Sequence, residues 1–228
     1  MTSWMDMLQG IDWQTGWAFL DRGGVLMYLL LLCSVLVLAI TLERWLRIRR
    51  ARTNTAMLFG PVEDMISRDD MAGAYAHVRF FRGPLATVLR AVLESSSREK
   101  TDLEEAALME ARRELRLLNQ RLPALNLLAG LAPLIGLLGT VIGMIKAFQQ
   151  VAAAQGAVNP SMLANGIWEA LLTTGAGLTV AIPALIFHHA LDHRVRRYAF
   201  EMDYFGAALI RLLTGRPEPA SVSEPADA

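Results

Sequence analysis

Apolar residues are concentrated in three blocks along the chain, and most of the charged residues lie between these blocks. The blocks run from Val25 to Leu42, from Leu122 to Ile145 and from Met162 to Phe187. A helix of about 18 or more apolar residues is long enough to cross a hydrocarbon core roughly 30 Å thick. The pattern therefore predicts an all-α integral membrane protein with three transmembrane helices, over residues 25–42, 122–148 and 161–187.

Helical periodicity continues between the first and second blocks. Leucine and alanine recur at steps of mostly three and four from Leu103 to Leu122, which is typical of one helix face. The pair Thr101 and Glu104 fits a capping box at the start of this helix. The sequence thus predicts one long helix that runs from the cytoplasm into the second span, with kinks at Pro123 and Pro133.

Proline and glycine mark the other expected element boundaries. Shorter helices are predicted over residues 54–94, with breaks at Gly60–Pro61 and at Gly83–Pro84. Asn159–Pro160 is a favourable helix start, from which the third span continues as a cytoplasmic helix over 188–213. The small, polar, proline-rich residues 214–228 are expected to be disordered.

Basic residues at the span borders indicate the orientation of the chain. Arginines follow the first span, precede the second and follow the third, whereas aspartates predominate before the first span. Because basic residues in short loops are retained in the cytoplasm, residues 43–121 and the C-terminus are expected to be cytoplasmic. Residues 1–24 and the short loop 149–160 are then periplasmic.

Composition and motifs exclude several functions. The formal net charge is zero, which gives no indication of nucleic-acid binding. The single Cys33 lies in the first span and cannot form an intrachain disulfide. No motif for nucleotide binding or nucleophilic catalysis is present, so the sequence predicts neither an enzyme nor a cofactor. His189 and His193, beside Asp192, have a spacing that suits either a metal or an interfacial cluster; the latter is favoured and no metal site is predicted.

Small and hydroxylated residues mark the second and third spans. Glycine allows transmembrane helices to approach closely, so a helix-packing role is expected for Gly136, Gly139, Gly143 and Gly177. The hydroxyl of Thr140, between two of these glycines, either bonds back to its own helix or faces a polar pore.

Glu169 is the only carboxylate inside the predicted spans. A charge at the bilayer centre costs about 2.5–3.5 kcal/mol, so such a residue usually faces a polar interior, although an interfacial position beside Trp168 is the alternative. Thr173 and Thr174 follow about one turn later on the same helix. Together with Thr140, these residues are the predicted proton pathway.

Two stretches resemble signatures of the MotA/TolQ/ExbB proton-channel family. The first runs from Pro133 to Met144, and the second from Gly166 to Leu178 with Ala181–Pro183 after it. The order of spans and cytoplasmic segments is similar too, and three spans are most like ExbB or TolQ, since the flagellar MotA type has four. Trp168, Thr173 and Gly175 depart from residues common in the family.

The resemblance implies a ring of several copies of the chain, most often five. Its pore would hold single-span subunits of the ExbD or TolR kind, and its work would reach a TonB-like or TolA-like protein. The implied pore residues are Thr140, Glu169 and Thr174. Because threonine relays protons without holding a charge, a partner is expected to supply a membrane carboxylate. A TonB-linked motor is the leading hypothesis; a TolQ-like subunit and a non-conducting membrane scaffold remain alternatives, and sodium remains an alternative to the proton.

Overall fold

The computed structural model describes residues 24–51, 53–95, 99–153 and 160–215. Within these ranges the chain is helical and contains no strand, which confirms the predicted all-α class. The predicted N-terminal periplasmic segment up to residue 23, most of the predicted outer loop (154–159) and the tail from residue 216 lie outside the described residues. The helices, in chain order, are α1 (Gly24–Arg50), α2 (Thr55–Ser67), α3 (Met71–Phe80), α4 (Pro84–Glu94), α5 (Lys100–Asn119), α6 (Leu122–Ala153) and α7 (Pro160–Thr214).

Three of the helical stretches are long and apolar enough to cross a membrane, within Gly24–Ser67, Lys100–Ala153 and Gly166–Thr214. Only 28% of the most apolar window of each is buried inside the chain. Large side chains on these helices, such as Leu134 and Ile186, are about 60% exposed. Such continuous apolar surface is stable against lipid or against neighbouring transmembrane helices, and the chain is therefore a multi-pass membrane protein.

The chain divides into two compact units. Among the described residues, the first unit, here called the membrane unit, consists of those in 24–43 and 121–190. The second, the extramembrane unit, consists of the described residues in 44–120 and 191–215. The two units pack by different means.

The extramembrane unit is built around an apolar core of mostly aliphatic side chains. Helix α4 has the most one-sided pattern of the short helices and buries almost every apolar side chain it carries. Phe59 of α2 packs against Phe205 of α7 with ring centroids 4.9 Å apart. Burying one such side chain contributes roughly 1.5–3 kcal/mol. The buried core residues are Leu58, Phe59, Val62, Ala74, Val78, Leu85, Ala86, Leu89, Val92, Leu93, Leu103, Leu209 and Ile210.

The predicted break at Gly60–Pro61 is wrong, because α2 continues through Pro61. Proline has no N–H, so the carbonyl of Met57, four residues earlier, loses its helical hydrogen bond. A ring nitrogen of His77 lies 3.2 Å from this carbonyl oxygen and replaces the missing donor. The helix ends instead near Asp69, which has a left-handed φ of 62°.

The predicted break at Gly83–Pro84 is confirmed. Gly83 has a φ of 137°, which an L-amino acid side chain rarely allows. Pro84 then occupies the first turn of α4, where a missing N–H costs nothing.

The single helix predicted through residues 101–148 is also wrong. Helix α5 ends at Asn119 and α6 begins at Leu122, with Arg121 at a left-handed φ of 69° between them. The ring of Pro123 would clash with the carbonyl of Asn119, so the helix breaks before it, whereas Pro133 lies inside α6 without ending it.

The capping box expected at the start of α5 does not form. The helix begins one residue before Thr101, after Glu99, and no side chain caps it by a hydrogen bond. The expected helix face is only partly realised, since Leu103 and Leu118 are buried but Leu108 is 50% exposed.

Candidate functional site

Helices α6 and α7 meet along two matching rows of small residues. Each row advances by steps of four, three, four and four residues, so each keeps to one helix face. The rows run antiparallel, with Gly177 against Ala132 at one end and Gly166 against Ala147 at the other. We call this contact the small-residue seam; it consists of Ala132, Gly136, Gly139, Gly143 and Ala147 on α6 and Gly166, Ala170, Thr173, Gly177 and Ala181 on α7.

The glycines of the seam leave no space for a side chain. A Cβ atom at Gly136 would lie 2.9 Å from the carbonyl oxygen of Thr173, and one at Gly177 would lie 2.6 Å from that of Ala132. A Cβ at Gly139 would overlap the side chain of Thr173, and one at Gly143 would lie 3.1 Å from Cβ of Ala170. The structure thus places all four glycines named from the sequence at this contact.

Other glycines on the same helices are in open positions. A Cβ atom at Gly130 of α6 or at Gly175 of α7 would meet nothing within 4 Å. The close approach of the two helices is therefore specific to the face that carries the seam, and not a general property of glycine in these spans.

The hydroxyls of Thr140, Thr173 and Thr174 all donate hydrogen bonds, in two different ways. Thr174 donates to the carbonyl oxygen of Gly136 at 3.0 Å, which joins α7 to α6. Thr140 donates to Leu137 at 2.7 Å and Thr173 to Ala170 at 2.8 Å, both within their own helices. Of the two alternatives for Thr140, the structure shows the bond to its own helix. Each hydroxyl oxygen keeps acceptor capacity, as a water relay requires.

Glu169 lies at one end of the seam, next to Ala170. Its carboxylate is 3.4 Å from the ammonium group of Lys146 on α6, and the two side chains are 31% and 55% exposed. The start of α1 is also close, since a Cβ on Gly24 would lie 3.5 Å from Oε1 of Glu169. A basic side chain and the first turn of another helix therefore both lie close to this carboxylate.

This arrangement suits proton entry better than proton transfer across the whole membrane. One carboxylate lies at one end of the pair of helices, where it is partly exposed and paired with a lysine. Thr173 and Thr174 follow about 6–8 Å further along the helix axis. Hydroxyls relay protons through water but hold no charge, so the deeper part of the pathway has no proton-storing group among these residues.

The histidines near the end of the third span take part in different contacts. His188 and His189 have ring centroids 5.5 Å apart. Asp192 accepts a hydrogen bond from Nε of Arg196 at 2.9 Å. Among the described residues, no group of three or more His, Cys, Asp and Glu side chains is arranged to hold a metal ion.

Sequence reasoning missed two features of this site. It did not pair Lys146 with Glu169, although one base and one acid in consecutive predicted spans, near the short segment that joins them, are a usable signal. It also singled out glycines and overlooked the alanines at 132, 147 and 170, which share their spacing. A search for all small residues at this spacing would have found the whole seam.

Comparison with known proteins places this site within a matched region. Residues 79–204, which include the whole seam, match the MotA/TolQ/ExbB proton channel family. An ExbB-like biopolymer transport protein of Synechocystis is 35% identical over 196 residues, covering 82% of this chain and 73% of the relative. The biopolymer transport protein ExbB of Neisseria meningitidis is 28% identical over 200 residues, covering 81% and 89%. The Tol-Pal system protein TolQ of Haemophilus influenzae is 44% identical over 92 residues, covering 40% and 39%.

Proposed function

Because the chain belongs to the MotA/TolQ/ExbB proton channel family, we propose that it is the channel subunit of an inner-membrane motor that uses the proton-motive force to drive a TonB-like protein. The position of Glu169 is the observation that carries this proposal. The only acid of the predicted spans stands at the end of the small-residue seam, partly exposed and beside a lysine.

In this proposal Glu169 takes up protons from the periplasmic side. Lys146 is its counter-ion while it is ionised, and Thr140, Thr173 and Thr174 form the polar wall along which water relays the proton. Residues 1–24 and 149–160 face the periplasm, while 43–121 and the residues from 188 onward face the cytoplasm. The arginines at the span borders support this orientation.

A second protein completes the pathway. Since the chain has no acid deeper in its spans, a single-span subunit of the ExbD or TolR kind supplies a carboxylate near the bilayer midplane. Each proton that crosses 100 mV releases about 2.3 kcal/mol, which is enough to bias a two-state movement of the ring around this subunit. The exposed apolar faces of α6 and α7 are available for such neighbours.

The mass of the intact complex tests the assembly. The tagged chain is purified from its native host in mild detergent and weighed by native mass spectrometry. A ring of about five copies with single-span partners that carry a membrane Asp or Glu is expected from the family. A monomer or dimer without such a partner would contradict both the pore and the single-span subunit inside it.

Variants in the host test the function. Glu169→Gln removes the titratable group while keeping its shape, and Thr174→Val removes one hydroxyl. Both are expected to abolish or strongly reduce energy-dependent transport at unchanged abundance and ring mass, whereas Glu105→Gln, an exposed acid on α5, is expected to have no effect. If assembly is kept and both variants work normally, the chain is a non-conducting scaffold and the proposal fails.

The same variants also identify the client, that is, the system that the proposed motor drives. The TolQ relative is more identical to this chain than the ExbB relatives, but over a much shorter stretch. A TonB-linked motor predicts that Glu169→Gln impairs outer-membrane uptake of scarce nutrients. Loss of envelope integrity and incomplete cell constriction, with uptake intact, would instead identify the TolQ-like alternative.

A further inference from the structure

The extramembrane unit contains a basic cavity that the proton pathway does not use. Its volume is about 980 Å³, and residues from the last turns of α1, the start of α2 and the middle of α7 line it. Its lining includes three arginines and one glutamate, a net charge of +2. The arginines are Arg49, Arg194 and Arg197, and the glutamate is Glu201.

The walls of the cavity are fixed by defined contacts. The hydroxyl of Tyr198 donates to the carbonyl oxygen of Ile48 at 3.2 Å, which joins α7 to α1. The guanidinium carbon of Arg49 lies 5.4 Å from the ring centroid of Trp45, a cation–π distance. Arg197 is paired with Glu201 at 3.0 Å. Arg49 and Arg194 therefore contribute the positive charge that is not matched within the lining.

The start of α2 adds hydrogen-bond donors to the same cavity. Asn54, Thr55 and Ala56 line it, and the side chain of Asn54 makes no capping hydrogen bond. The first N–H groups of a helix have no acceptor within the helix, and they attract anions when they face a cavity. This feature adds to the arginines and would not define a site without them.

The position of the cavity in the sequence indicates which anion it meets. Trp45 follows the first apolar block by three residues, and tryptophan is enriched at the level of lipid headgroups. Trp45 and Leu46 are both about 40% exposed on α1, so apolar and basic surfaces meet here. Basic pockets beside transmembrane helices suit the headgroups of anionic phospholipids.

We propose that this cavity binds the headgroup of an anionic phospholipid, with the guanidinium groups of Arg49 and Arg194 on its phosphodiester. The glycerol backbone of the lipid lies beside Trp45. The proposal requires only that α1 crosses the membrane, so it does not depend on proton conduction. A lipid held at this place would fix α1, α2 and α7 together where the chain leaves the bilayer.

Matched double variants test the proposal in the full chain, purified in mild detergent and titrated with phosphatidylglycerol. Arg49→Gln with Arg194→Gln removes two charges from the cavity. Arg50→Gln with Arg196→Gln removes two exposed charges from the same helices, and neither of these residues lines the cavity. Bound lipid is counted by native mass spectrometry, and far-ultraviolet circular dichroism confirms that each variant keeps its helix content.

The first double variant is expected to weaken phosphatidylglycerol binding about tenfold or more, and the control by about twofold or less. Phosphatidylcholine, whose choline neutralises the same phosphodiester, is expected to bind the original chain about tenfold more weakly than phosphatidylglycerol. Equal losses in the two double variants would mean general surface attraction and would overturn the site. Displacement of the lipid by inorganic phosphate would also overturn it, since the cavity would then be a site for a soluble anion.

Discussion

The small-residue seam and the core of the extramembrane unit both hold helices together, but the seam uses small side chains and the core uses large ones. Helix α4 buries leucine and valine on its packed face. Helices α6 and α7 instead bring glycine, alanine and threonine together along the seam, and leucines such as Leu134 and Leu171 are exposed. In water the burial of large apolar groups drives association, whereas lipid is as apolar as leucine and gives no such gain. Close backbone contact and interhelical hydrogen bonds then hold the helices together.

The difference also explains how polar groups come together at the proposed proton pathway. Small residues bring the backbone of one helix within reach of a side chain on the other, as in the bond from Thr174 to the carbonyl oxygen of Gly136. A core of large side chains would keep these groups apart. The seam therefore positions polar groups inside an otherwise apolar pair of helices, while the extramembrane core excludes them.

Loss of a large side chain in the extramembrane core is expected to have the largest effect on stability. Leu89 is fully buried, so Leu89→Ala creates a cavity and is expected to lower the free energy of unfolding of this unit by about 2–5 kcal/mol. Leu108→Ala, at a position that is 50% exposed, is the matched control and is expected to change it by less than about 0.5 kcal/mol. Thermal unfolding in detergent measures both. Similar losses in the two variants would show that this unit is not organised around the described core.

Addition of a methyl group to the seam is expected to have the next largest effect. Gly177→Ala places a Cβ 2.6 Å from the carbonyl oxygen of Ala132, and the helices must separate, at a cost of about 1–3 kcal/mol. Gly175→Ala, two residues away on the same helix, meets nothing within 4 Å and is expected to be neutral or slightly stabilising. The midpoint of thermal unfolding in detergent distinguishes them. If Gly175→Ala is the more harmful of the two, helices α6 and α7 do not pack through the seam.

The smallest expected effect is that of Glu114, a charged group at the edge of the extramembrane core. Burial, followed by the nearby charge of Glu110, raises the pKa of Glu114. A raised pKa means that the folded state favours the protonated form, so stability is full at low pH and declines as the pH rises through the pKa of the folded state.

Replacement of this carboxyl is therefore expected to increase the stability of the folded chain at neutral pH only. Glu114→Gln is expected to be slightly more stable than the original chain at pH 7, with the difference disappearing towards pH 4. Glu105→Gln, an exposed acid on the same helix, is the control and is expected to show no such trend. Unfolding midpoints measured across this pH range give the comparison, and a difference that grows on acidification would have the wrong sign.

Features set by composition could be predicted from the sequence. The three apolar blocks gave the candidate spans, and the glycine–proline pair at Gly83–Pro84 gave a true break, because its geometry is decided locally. At each of the four glycines named from the sequence a Cβ would meet the neighbouring helix, and few other roles suit glycine in an apolar helix.

Features set by distant partners could not be predicted. Pro61 stays inside α2 because a ring nitrogen of His77, from another helix, lies 3.2 Å from the carbonyl oxygen of Met57, which proline leaves without a donor. Likewise, the ion pair of Lys146 and Glu169 depends on the register of α6 against α7, which no single segment determines.

Proton flux through the purified complex tests the central claim most directly. The chain and its single-span partner are reconstituted into liposomes with a pH-sensitive dye inside, and a potential is imposed. The account predicts flux for the original complex, near-background flux for Glu169→Gln in a complex of unchanged mass, and near-background flux for the chain without its partner. Full flux through the Glu169→Gln complex, or through the chain alone, would contradict the role of Glu169 or the need for a second carboxylate.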